Sequence, residues 1–134
     1  MAVLDTTVLI DLMRGGVRGE RAADAVRRSH SDGERAVTTR FNVAELYVGV
    51  ERSQTPSVEG RRVERVLEGL PILEFDERAA RVFGRPAAHA ASRGQPVGDM
   101  DALIASVAIV SGLALVTRNA RHFEGLPGLL VVSY

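Results

Sequence analysis

Short apolar runs alternate along this chain with segments of helical spacing, and that alternation most constrains the fold. Ala2-Val3-Leu4, Ala36-Val37-Thr38, Ile72-Leu73-Glu74-Phe75, Leu113 to Thr117 and Leu129 to Val132 read as five strands. The apolar ones lack an inside–outside alternation, as strands covered on both faces do. Between them, Thr6 opens a helix carrying Val8, Leu9, Leu12 and Met13, stopped by Gly15-Gly16. Residues 19–29 form a polar helix with Ala22, Ala23 and Val26 as its thin apolar side. Thr38 or Thr39 caps a helix over about 40–53, and Val63, Val66, Leu67 and Leu70 mark another over 57–69, ended by Pro71. Asp76 caps a helix through about Ser92, with a kink expected at Gly84 and Pro86. Asp99 is expected to cap a helix from Met100 to Val110, with Gly112 just beyond its end. Strands alternating with helices predict an α/β fold with a parallel sheet. Ligands of such sheets bind outside the carboxyl ends of the strands, where Asp5, Thr38 and Thr117 fall.

With 134 residues and no repeat or linker, the chain reads as one domain over residues 1–134. A chain of this length buries about 68% of its unfolded surface. A hydrophobic fraction of 46% and a charged fraction of 25% exclude a disordered, collagenous or disulfide-framework class. No apolar run approaches the ~18 residues of a membrane span, and no membrane association is expected. Asp5 interrupts the first apolar stretch, and no basic segment precedes it, so a secretory signal is not expected. Absence of cysteine excludes thiol catalysis and Cys-ligated zinc and fits a reducing cytoplasm, the expected location. Net charge is zero, from 17 carboxylates against 17 arginines and no lysine. If several carboxylates hold cations, the remaining surface becomes basic. A GC-rich genome alone would explain the missing lysine, although arginine is also the better phosphate fork.

Two acids stand inside otherwise apolar runs. Glu45 interrupts Phe41-Asn42-Val43-Ala44-Glu45-Leu46-Tyr47-Val48-Gly49-Val50, and Asp101 interrupts Met100-Asp101-Ala102-Leu103-Ile104-Ala105. An ionised carboxylate costs several kcal/mol to bury unless it is paired or bound to a cation. Each alone has a plain alternative: Glu45 on the wet face of an amphipathic helix, and Asp101 complementing a helix dipole. Together with Asp5 at the end of the first strand, they can converge at one sheet edge. Oxygen-only acidic sites suit hard divalent cations and phosphoryl chemistry.

At these residues the sequence resembles the PIN-domain nucleases, and most closely the VapC-type toxins of bacterial toxin–antitoxin pairs. The resemblance runs in order through Val3-Leu4-Asp5-Thr6, Ala44-Glu45-Leu46-Tyr47-Val48-Gly49, Pro96-Val97-Gly98-Asp99-Met100-Asp101-Ala102-Leu103-Ile104-Ala105 and Leu115-Val116-Thr117-Arg118-Asn119-Ala120-Arg121-His122-Phe123, and Pro127-Gly128-Leu129 fits the usual ending. It implies a three-layer α/β/α domain around a short central parallel sheet of about five strands. It implies metal ligation by Asp5, Glu45 and Asp101, with Asn119 at a fourth position where many relatives carry Asp. An amide there holds a water or substrate more readily than a second cation. Thr6 and Thr117 are expected to steady the carboxylates, with Asp99 secondary to them.

The activity implied is Mg²⁺-dependent hydrolysis of RNA phosphodiesters, with Mn²⁺ as a substitute, by an endoribonuclease toxin that inhibits translation. Metal supplies an acidified water and neutralises charge on the phosphate, and no histidine is needed as base. Arg118 and Arg121, and more weakly Arg93, are the expected contacts to the RNA backbone, unless they only solvate a loop. His122 beside Arg121 is expected at the surface, within reach of phosphate. Aromatic residues are only 4% of the chain, so base stacking is not the expected means of recognition. The implied partners are a tRNA or rRNA substrate, a VapB-type antitoxin whose tail lies in a groove of the first helices, and a second copy in a homodimer using Val48 and Val50. Gly49 is expected to permit close helix packing.

Other classes fit less well. A phosphoacceptor receiver domain needs a lysine, and an aspartyl phosphatase usually wants an acid where Thr7 stands. A dinucleotide fold wants a glycine-rich turn after the first strand, not Asp5-Thr6-Thr7. The alternative of another kind is a non-catalytic PIN-like module that binds RNA or protein. Clustered carboxylates also repel one another, so Asp5→Asn is expected to stabilise the metal-free protein.

Overall fold

The computed structural model describes residues 1–30, 35–92, 94 and 98–134. Its elements are β1 (Ala2–Leu4), α1 (Thr6–Arg14), α2 (Gly16–Arg28), β2 (Thr38–Thr39), α3 (Arg40–Arg52), α4 (Pro56–Leu67), β3 (Ile72–Leu73), α5 (Glu77–Ser92), α6 (Asp99–Ser111), β4 (Ala114–Val116), α7 (Ala120–Phe123) and β5 (Val131–Val132). The strands are shorter than their apolar runs, because only the central residues of each run find a partner. Both ladders are parallel. Leu4 pairs with Val116, Val116 with Val132, and Thr39 with Leu73. Val37 stitches the two ladders together: its carbonyl accepts from Leu4 N at 2.8 Å, and its N–H donates to Ala2 O at 2.9 Å. The resulting order is β3-β2-β1-β4-β5.

Side chains alternate across this sheet and fill two cores. Ala2, Leu4 and Val116 pack with Val8 and Leu9 of α1, Ala22 and Ala25 of α2, Leu46 and Val50 of α3 and Val63 of α4. Val3, Val37 and Leu115 face the other way, onto Ile104, Ala105 and Ala108 of α6 and Phe123 of α7. Helix α5 packs along α6. Full burial of a side chain such as Leu9 contributes about 1.5–3 kcal/mol, which is how strands of two or three residues are held.

Several local expectations change. Helix α6 starts one residue early: Ala102 N donates to Gly98 O, so Gly98 is the N-cap and Asp99 is an exposed first-turn residue. Helix α5 runs to Ser92 with Pro86 inside it, as expected. Val50 is buried against the α1–α4 core and is not free for a second copy, whereas Tyr47 and Val48 are exposed. Gly49 faces open space, so no close helix approach depends on it here. The four-residue helix α7 is too short to show a helical period in the sequence. Arg93, Pro96 and Val97 lie outside the described residues.

The chain leaves β1 to build β2 and β3 on one side, then returns to place β4 on the other. Strand order therefore reverses at β1 and β4, and the crevice beyond their carboxyl ends is where such sheets take ligands. No helix among the described residues is long and apolar enough to cross a membrane.

Candidate active site

Asp5 follows β1 directly. Its N–H donates to Val116 O at 3.0 Å, and its carbonyl accepts from Val8 N and Leu9 N, which makes it the backbone N-cap of α1. Its side chain makes no capping bond. The carboxylate turns into the crevice instead, where Oδ1 accepts from Asn42 Nδ2 at 3.1 Å. Oδ2 accepts from Thr117 Oγ1 at 2.7 Å and from Thr7 Oγ1 at 3.2 Å. Asp5 is almost fully buried, and these donors take over the solvation that water would supply.

Helix α3 supplies the next layer. Thr39 caps it through a reciprocal box: Thr39 Oγ1 accepts from Asn42 N, and Asn42 Oδ1 accepts from Thr39 N. The same Asn42 oxygen accepts from Thr39 Oγ1 at 2.7 Å. That leaves both amide protons of Asn42 pointing at the site, one on Asp5 and one on Thr6 Oγ1 at 3.0 Å. Thr6 Oγ1 in turn donates a hydrogen bond to Glu45 Oε1 at 2.7 Å. Glu45 follows Asn42 by three residues, so the two share a helix face.

Asp101 enters from the first turn of α6, with His122 Nδ1 of α7 at 3.2 Å from its Oδ2. Burial holds the Glu45 carboxyl above its ordinary pKa, opposed by the Thr6 hydrogen bond and reinforced by repulsion from Asp5 and Asp101. Burial likewise raises Asp101, with repulsion from Asp5 added and His122 pulling the other way. The three acids thus share one field. None of them is paired with an arginine among the described residues. Among the described residues no three acidic or histidine groups form a ready-made metal cluster. What joins these acids is repulsion across a crevice. A hard, oxygen-only, anionic donor set fits Mg²⁺ or Mn²⁺, and a cation removes the repulsion that the crevice otherwise retains.

The remaining expected residues lie around this group. Thr117 Oγ1, besides holding Asp5, accepts from Asn119 N at 3.0 Å. Asn119 heads α7 with its side chain exposed and capping nothing. Arg121 is exposed, without an ion-pair partner among the described residues. Arg118 is committed elsewhere, its Nε standing 3.2 Å from Asp11 Oδ2. Asp99 makes no side-chain bond to cap its helix. The Asp5→Asn expectation also shifts. Two hydroxyl protons and one amide proton point at that carboxylate, so an amide NH₂ would meet a donor. Glu45 and Asp101 carry the strain. Sequence reading overlooked Asn42, Thr7, Asp11 and Tyr134. The one local sign was Asn42, a polar residue three positions after the capping Thr39 inside an apolar run.

A parallel α/β sheet with acids at its switch point is a site suited to an oxygen-bound cation and a phosphate group. The chain belongs to the PIN-domain family, which it matches over residues 2–129, and within it to the VapC ribonucleases. It is 31% identical over 122 residues to Ribonuclease VapC2 of Haemophilus influenzae, covering 91% of this chain and 89% of that one. It is 35% identical over 100 residues to the tRNA(fMet)-specific endonuclease VapC of Salmonella typhimurium, covering 75% and 76%. Its fold matches the structure of VapBC-1 from nontypeable Haemophilus influenzae with a TM-score of 0.84 at 27% identity, over 98% and 96% of the two chains. It matches the DNA-bound VapBC of Salmonella typhimurium with a TM-score of 0.80 at 31% identity, over 99% and 98%. The activity class is that of a ribonuclease.

Proposed function

We propose that this ribonuclease is a divalent-cation-dependent endonuclease acting on tRNA or rRNA as the toxin of a toxin–antitoxin pair. Asp5, Glu45 and Asp101 hold the cation, Mg²⁺ with Mn²⁺ as substitute, and Asn119 orients water or substrate beside them. The observation that carries the reading is the meeting of three acids at the β1–β4 switch point, Asp5 and Glu45 joined through Asn42 and Thr6 and Asp101 facing Asp5 from α6, with no arginine paired to them among the described residues. A bound cation supplies Lewis acidity there, lowering the pKa of water and neutralising charge on the phosphodiester. The chain's own residues do the rest. Asn42, Thr7 and Thr117 orient Asp5, Thr6 orients Glu45, and the exposed Arg121 meets the RNA backbone electrostatically, whereas Arg118, expected to do the same, is engaged by Asp11.

For antitoxin capture we propose a groove in the same domain. An open groove of about 340 Å³ between α1, the segment that precedes β2 and the end of α4 is lined by Leu9, Leu12, Val66 and Leu70, with Arg35 and Glu68 among its lining residues. An apolar floor with both charges beside it suits an amphipathic tail. Solved structures that this fold matches are described as a VapBC member of a toxin–antitoxin family and as a toxin–antitoxin complex, which supports that partner. Self-association is proposed on the exposed Tyr47–Val48 face of α3.

The test is cleavage of a purified tRNA and rRNA pool by the wild type and Asp101→Asn, with Mn²⁺ and with chelator, and with new 5′ ends mapped. Cleavage is expected only for wild type with metal, the variant being at least about a hundredfold slower with unchanged circular dichroism. Equal rates would remove Asp101 from the site. No cleavage by wild type in any metal would favour the non-catalytic module.

A further inference from the structure

Helix α1 buries a second acid that the carboxylate site does not use. Asp11 is 2% exposed. Its Oδ2 accepts from the Tyr134 hydroxyl at 2.8 Å and stands 3.2 Å from Arg118 Nε. Burial, reinforced by Asp11, pushes the Tyr134 hydroxyl well up from its ordinary pKa, so it remains a donor at neutral pH. A carboxylate this deep is expensive to leave unpaired; the Tyr134 hydroxyl donates to it, and the Arg118 guanidinium offsets its charge from ion-pair distance without a hydrogen bond from Nε.

Arg118 has an unusual address. Its backbone N–H donates to Thr7 Oγ1 at 3.1 Å, and that hydroxyl donates to Asp5 Oδ2 at 3.2 Å. The residue therefore starts two hydrogen bonds from the proposed cation site, within reach of an arginine side chain. In a chain without lysine, arginine is the permanent side-chain cation. A free guanidinium beside three mutually repelling carboxylates would pair with them. Instead it is turned to Asp11.

We infer that Asp11 and Tyr134 are positioning residues that hold Arg118 out of the carboxylate cleft and keep the cleft open to a divalent cation. Asp11 supplies the competing charge, and Tyr134 fixes the oxygen that receives it. This rests on the cation site proposed above and adds residues that make no contact with the cation.

Calorimetric titration of Mn²⁺ into RNA-free protein tests it without reference to cleavage. Asp11→Asn is expected to weaken Mn²⁺ binding about fivefold, the upper range for a partly exposed arginine–carboxylate pair. Tyr134→Phe should weaken it less, in the same direction. Arg118→Gln should bind at least as tightly as wild type, and adding it to Asp11→Asn should restore that affinity to within about twofold. An Asp11→Asn variant that binds like wild type would overturn the inference. So would a double variant as weak as Asp11→Asn, since a purely structural defect is not rescued by deleting the arginine. Should Asp11→Asn fail to fold by circular dichroism, Tyr134→Phe with and without Arg118→Gln makes the same comparison. Wild type that takes up no Mn²⁺ overturns the cation reading itself, an outcome distinct from all of these.

Discussion

Asp5 and Glu45 show how two carboxylates in one crevice come to carry different burdens. Asp5 accepts from Asn42, Thr7 and Thr117, while Glu45 has the single hydroxyl of Thr6 to offset its burial. Glu45→Gln keeps an acceptor for Thr6 and removes the charge. In metal-free protein at neutral pH it is expected to raise Tm by about 2–4 °C, as relief of strain at a functional site does. The raised pKa of Glu45 in the folded state gives the sign of the pH dependence. Its contribution to wild-type stability is fully present below the ordinary carboxylate value and is lost as pH rises through the raised one. The advantage of the Gln variant should therefore shrink as pH falls from neutral toward the carboxylate range. Thermal melts in chelator across that range check it. A constant advantage, or a lower Tm, would mean that Glu45 is not strained.

At the scale of elements, the site depends on how α1 meets α2 and how α3 begins. Gly19 of α2 lies so close to α1 that a Cβ would stand 2.9 Å from the Asp11 carbonyl oxygen. That oxygen belongs to the backbone and cannot move aside cheaply. Gly19→Ala is expected to cost about 1–3 kcal/mol by overpacking, outweighing the ~1 kcal/mol that alanine gains over glycine inside a helix. Gly84 of α5 is the matched control, exposed and with nothing within 4 Å of a Cβ. Gly84→Ala should gain up to about 1 kcal/mol. Urea unfolding of both variants checks the pair, and an equal response would remove the close α1–α2 approach as a determinant. At the start of α3, the Thr39–Asn42 box both stops the strand and aims the Asn42 amide at Asp5. Capping and site construction share the same residues there.

The whole molecule contributes the meeting of elements that are remote in sequence. Asp5, Glu45 and Asp101 come from the end of β1, the middle of α3 and the first turn of α6, on opposite faces of one sheet. A cation that binds the folded protein and not the unfolded chain stabilises it by linkage. At a hundredfold excess over Kd the gain is about 2.7 kcal/mol. Melts with chelator and then with millimolar Mn²⁺ should show a rise of several degrees in wild type. Asp101→Asn, lacking one proposed ligand, should show much less. Equal rises would mean that Mn²⁺ binds elsewhere.

Order and spacing along the chain suffice for the elements and the acids, because hydrophobic period, caps and buried charge are local signals. Glu45 and Asp101 stand out as charges inside apolar helices, and Asp5 as the residue where the first strand stops. Asn42 and Thr7 were readable at most as a capping residue and a helix residue. Their role depends on atoms 37 residues away for the Asn42–Asp5 bond and 111 for the Arg118–Thr7 bond. The same limit hid the Tyr134–Asp11 bond, which spans 123 residues, and left Arg118 reading as a free cation. Such pairs exist only once β2, β4 and β5 are laid around β1 in register, a consequence of packing both faces of the sheet at once. Local periodicity records which side chains are buried, whereas strand order alone decides which buried polar groups meet.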